Sequence, residues 1–123
     1  MRSPLARAIG LGSAKSGVEH WWAERISAVA LVPLTLWFVA SMIAHTGSDY
    51  AGFVAWMKEF PTTILMILLL LVLFYHTALG LQVIIEDYVH SDFKFVAIVA
   101  VRLGCFAIAA VGILAALRIA LTL

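Results

Sequence analysis

"PTTILMILLLLVLFYHTALGLQVIIE", residues 61–86, contains no charged side chain before its last residue. A helix needs about 20 mostly apolar residues to cross a bilayer. Lipid offers the backbone no hydrogen-bond partners, so such a run closes its own bonds as a helix. Pro61 suits the first turn, where its missing N–H costs nothing. Two further runs flank this one. "ISAVALVPLTLWFVASMIAH" covers about 26–45, and "FVAIVAVRLGCFAIAAVGILAALRIAL" about 95–121. Pro33 lies inside the first and should kink it.

Composition agrees. Of 123 residues, 64% are hydrophobic and only 12% charged, about half the charge of an ordinary soluble domain. The reading is an all-α membrane protein. It forms a single domain over 1–123, with three transmembrane helices at about 26–45, 61–88 and 95–121. One cysteine, Cys105, excludes an internal disulfide. No phosphate loop, paired-cysteine motif or nucleic-acid motif is present.

Orientation follows from Lys and Arg near the helix ends. Arg2, Arg7, Lys15 and Arg25 precede the first run, whereas the first connection holds only Lys58. The tail and interfacial segment, 1–24, is therefore placed inside and the C-terminus outside. The expected location is a bacterial inner (cytoplasmic) membrane, crossed several times. A mitochondrial presequence is also basic and acid-poor, but this tail is short for one. Trp21 and Trp22 suit the inner aromatic belt, and Trp56 and Phe60 the outer one.

Within the second run stands His76. It lies roughly 22 Å from the outer end of the helix. Intramembrane ionisable residues usually face a bundle interior or a cavity and mark function. The plainer reading is an interhelical hydrogen bond. Asp87 follows after eleven residues, close to three helical turns, so it shares the face of His76. Gly80, one turn on, leaves room either for close helix packing or for a flat group near the backbone. His20, His45 and His90 all lie at other depths, so a haem bound by His76 would need its second ligand from another chain. Tyr88 either anchors in headgroups or donates its hydroxyl to a quinone carbonyl, with Asp87 orienting it or moving protons. Arg25 either snorkels to the interface or holds a carboxylate such as a haem propionate. Ser27 could approach the quinone or the haem edge, or could bond its own helix backbone. Arg102 snorkels or pairs with a neighbour.

The basic tail, "GVEHWWAERISAVAL" (17–31), the three helices and the His76…Asp87-Tyr88 spacing resemble the family of hydrophobic membrane-anchor subunits of succinate dehydrogenase, respiratory complex II. The resemblance implies that His76 is an axial ligand of haem b, with a second anchor subunit supplying the other. It implies that Tyr88 binds ubiquinone, with Asp87 beside the site, and that Arg25 lies near a haem propionate. The expected partners are that second anchor subunit, the iron–sulfur subunit, the flavoprotein subunit and membrane lipid, with no nucleic acid. The chain itself would do no succinate chemistry. Its share would be a haem ligand, part of the quinone site and anchorage. Two rivals stand beside this: the anchor of a quinol:fumarate reductase, and a cofactor-free membrane scaffold.

Overall fold

A computed structural model describes the backbone of residues 11–121 and the side chains from Gly17 onward. Arg2, Arg7 and the side chain of Lys15, on which the tail's basic character rests, lie outside the described residues. Four helices follow one another: α1 (Leu11–Ala44), α2 (Tyr50–Lys58), α3 (Phe60–Tyr88) and α4 (Phe93–Ala120). Three of them, α1 from Gly17, α3 and α4, are long and apolar enough to span a membrane. The expected all-helical, three-span architecture is therefore observed, and the described residues contain no strand.

Two boundaries differ from the sequence reading. The first helix starts at Leu11 rather than near residue 26, so the second half of the expected tail is helical. Residues 11–25 carry charges, glycines and serines, which hide the helix from an apolar-run criterion without preventing it. Pro33 lies within α1 and does not end it; its missing N–H leaves the Val29 carbonyl without the usual helical donor. The first connection is also more ordered than a loop. Gly47, at φ 88°, turns the chain after α1 in a conformation that side-chain-bearing residues rarely adopt. Asp49 then caps α2, its Oδ1 accepting from the Gly52 N–H at 2.8 Å. Glu59 is extended and redirects the chain into α3, where Pro61 occupies the first turn. The Thr63 hydroxyl lies 2.9 Å from the Met57 carbonyl and 3.2 Å from that of Glu59, pinning α3 to α2.

The tightest packing is at this end. Trp56, Met57 and Ala116 are buried, with Trp37, Met42, Met66, Ile67 and Ile119 against them. Trp56 stacks on Trp37 at 6.1 Å and also meets His45 at 4.8 Å between centroids. Trp56, expected along the outer interface, lies at the ends of the spans but is only 6% exposed, because α2 folds back under the ends of α1 and α4. Phe60, at 77% exposed, does lie at the surface.

Along the spans, α3 is central. It packs on α1 and on α4, while α1 and α4 do not pack together. Gly112 allows the α3–α4 approach: a Cβ there would sit 3.2 Å from Leu70 Cδ1. The three spans form an open arc, not a closed bundle. Only a few side chains are buried, and long rows of Val, Leu, Ile and Phe on α1 and α4 are exposed.

Candidate functional site

Seven residues separate His20 from Ser27 on α1, with Glu24 between them. These positions recur every three to four residues and so form one stripe. Ser27 is buried, 5% exposed. Its hydroxyl lies 3.0 Å from the Glu24 carbonyl of its own helix and 2.8 Å from Nδ1 of His76 on α3. A hydroxyl has one proton. The Glu24 carbonyl, which only accepts, takes it; the serine lone pair is then open to His76, whose Nδ1–H donates. In that arrangement the neutral imidazole carries its proton on Nδ1 and a lone pair on Nε2. This is the tautomer that ligates a metal through Nε2. Among the described residues no hydrogen bond falls on Nε2.

Ser27 thus bonds its own helix backbone, as one of its two sequence readings expected, and also reaches His76. Its part in holding His76 was not read from the sequence. The two residues stand 49 positions apart, and only the antiparallel packing of α1 on α3 brings them together.

Gly80 lies one turn from His76 on the same face. A Cβ built there would meet nothing within 4 Å. Close packing against another helix of this chain, which is the role of Gly112, is therefore not the role of Gly80. His20 is half-buried, and its Nε2 is a buried polar atom with no partner among the described residues. It lies about 10 Å along α1 from Ser27, on the side away from α2. Buried polar atoms are rarely left unsatisfied in a finished assembly.

Arg25 is exposed, its guanidinium carbon 5.5 Å from the centre of the Trp21 ring. This is a cation–π contact between residues one turn apart. It leaves the guanidinium on the surface, two residues before Ser27. Asp87 and Tyr88 end α3. Both are exposed, Tyr88 at 79%, and neither is hydrogen-bonded through its side chain to another described residue. Tyr88 is roughly 18 Å of helix rise from His76, so the two mark separate places on one helix. Among the described residues no three His, Cys, Asp or Glu side chains gather into a metal-binding group.

Comparison with known proteins gives the family. Residues 1–117 match the family described as "Succinate dehydrogenase/Fumarate reductase transmembrane subunit". A succinate dehydrogenase hydrophobic membrane anchor subunit of Rickettsia bellii is 36% identical over 104 residues, covering 83% of this chain and 82% of its own length. The subunit of the same description from Paracoccus denitrificans is 32% identical over 120 residues, covering 97% of this chain and 92% of its own. A succinate dehydrogenase membrane anchor subunit of Reclinomonas americana is 33% identical over 81 residues, covering 63% of this chain and 68% of its own. No solved structure matches.

Proposed function

Because the chain belongs to the succinate dehydrogenase/fumarate reductase transmembrane subunit family, we propose that it is the membrane anchor of a succinate:quinone oxidoreductase, that it gives one axial ligand to a haem b shared with a second anchor subunit, and that it forms part of the quinone-reduction site. The bond between Ser27 and His76 carries this reading. A metal-ligating histidine almost always donates its other ring N–H to a neighbour, which fixes the tautomer and the ring's orientation. Ser27 supplies that acceptor from a neighbouring helix, and Gly80 leaves open space beside the imidazole. The residues present therefore fit the group. His76 would hold it through Nε2. Haem b, when bound, supplies a one-electron store next to the quinone site.

The rest is done by the chain's own side chains. Tyr88, exposed at the helix end, offers a phenolic O–H to a quinone carbonyl. That bond strengthens as the oxygen gains charge on reduction, so its contribution is larger in the rate than in binding. Asp87, on the face of His76, accepts and passes a proton at its carboxylate oxygens. The end of the arc that carries Tyr88, His90 and Lys94 faces the inside. The iron–sulfur and flavoprotein subunits dock there, and succinate is oxidised in that soluble arm. A second anchor subunit packs beside α1 and α3 on the flank of His76 and brings the other haem ligand.

The test is purification of the chain from its own membranes with whatever it binds. The expected product is a complex with flavoprotein and iron–sulfur subunits that reduces quinone with succinate and gives a b-type reduced-minus-oxidised spectrum. A complex that reduces quinone without any b-type band would overturn the haem assignment. A chain that purifies without redox subunits would overturn the anchor assignment and favour a cofactor-free scaffold.

A further inference from the structure

On the flank of α3 away from Ser27, a half-open groove of about 490 Å³ runs between α3 and α4. Its walls are apolar: Leu71, Tyr75, Ala78, Phe106 and Ala109. At one end stand Gln82 and Arg102. Nε of Arg102 donates to Gln82 Oε1 at 3.2 Å, and Nη2 donates to the same oxygen. The Gln82 amide nitrogen in turn donates to Glu86 Oε1 at 2.9 Å. Arg102 therefore spends two of its five N–H groups on a neutral amide. Among the described residues no carboxylate contacts it. Glu86 reaches only the far side of the amide.

Depth gives this cation its meaning. The 29 residues of α3 measure roughly 43 Å, against about 30 Å of hydrocarbon. With the helix centred, the midplane falls near Phe74, and Gln82 lies roughly 12 Å from it, just inside the hydrocarbon boundary. From Gln82 to Leu71 the groove covers roughly 16 Å of helix rise, close to the ~15 Å depth of one leaflet. A positive charge just inside the hydrocarbon boundary, on a side chain long enough to snorkel toward the headgroups, thus tops an apolar slot one leaflet long. A guanidinium fork matches phosphate oxygens in paired hydrogen bonds.

We propose that the α3–α4 groove binds one anionic glycerophospholipid, its phosphate on Arg102 and one acyl chain along Leu71, Tyr75, Ala78 and Phe106. Gln82 is the positioning residue: it holds the guanidinium at the mouth of the slot and leaves its remaining donors facing the headgroup. Glu86, beyond the amide, opposes the phosphate and weakens the site.

The purified complex tests this in vesicles of phosphatidylcholine alone and of phosphatidylcholine with phosphatidylglycerol. Bound lipid is counted after detergent extraction, and thermal stability is followed in parallel, since a ligand of the folded state raises Tm. The wild-type complex should retain phosphatidylglycerol and melt higher when it is present. Arg102→Gln should lose one retained phosphatidylglycerol per complex, together with the Tm increment that phosphatidylglycerol gives. Ala78→Phe, which fills the slot and leaves the arginine in place, should lose the same. Glu86→Gln should retain at least as much as wild type. Inorganic phosphate should not reproduce the shift. Equal retention by wild type and Arg102→Gln overturns the proposal. So does an Arg102→Gln destabilisation that is equally large without phosphatidylglycerol, because the arginine's counterion would then be a carboxylate of a partner chain. A loss of stability in Glu86→Gln would instead make Glu86 the counterion and likewise overturn it.

Discussion

Replacing Ser27 by Ala removes one oxygen and separates two roles of the same contact. Ser27 is 5% exposed and its Oγ lies 2.8 Å from His76 Nδ1, so no other group moves in easily. As a link between α1 and α3 the bond is modest, because interhelical side-chain bonds in membranes average about 0.6 kcal/mol. The bond to Glu24 is no loss to the fold, since that carbonyl also has its helical donor. As an outer support of a metal ligand the same contact is worth more. Loss of such a partner typically costs about 10–100-fold in metal affinity, or roughly 1.4–2.7 kcal/mol. The imidazole also loses what fixes its tautomer. Ser27→Ala should therefore leave assembly and thermal stability close to wild type. Haem affinity should fall by that factor, read as haem per complex under limiting haem supply, and the midpoint potential should shift. Ser27→Cys, a weak acceptor of similar size, should fall between the two. Wild-type haem content and midpoint potential in Ser27→Ala would refute the argument that Ser27 prepares Nε2 for ligation. A large loss of stability with normal haem would return the contact to packing.

Gly80→Leu adds a side chain whose Cβ meets no other described residue within 4 Å beyond its own helix backbone and chain neighbours, and it removes a poor helix former that costs up to about 1 kcal/mol. The chain should still insert and assemble, but the haem-to-protein ratio should drop sharply; a normal ratio would place the cofactor elsewhere. Tyr88→Phe keeps a ring that is 79% exposed in this chain and removes only the hydroxyl. Quinone reduction should slow while succinate oxidation with an artificial acceptor stays normal; equal loss of both would indicate failed assembly, and loss of neither an interfacial anchor.

The spans were legible because length and apolarity suffice for a membrane helix. The run 61–86 needs no partner to be recognised, and the structure extends the helix expected over 61–88 only by Phe60. The start of α1 was not legible, because Lys15, Glu19, Glu24 and Arg25 break the apolar run in a helix whose first turns lie outside the core of the span. Nor was α2: nine residues make too short a pattern, although Asp49 ahead of Tyr50 is an ordinary N-cap signal. His76 stood out by depth alone. Its partner did not, since Ser27 reaches it through packing and not through spacing. The contact of Arg25 with Trp21 was readable as an i, i+4 pair. The bond of Arg102 to Gln82, by contrast, required knowing which faces of α3 and α4 meet.

The ligand role of His76 is tested most directly by the reduced-minus-oxidised spectrum of the complex carrying His76→Ala, recorded beside its subunit content. The side chain is half-buried on α3, and a haem bound there would find no other histidine among the described residues at the same depth. The subunits should remain associated and the b-type bands should be lost or strongly shifted. An intact complex with an unchanged b-type spectrum and full haem content would contradict the ligand role outright.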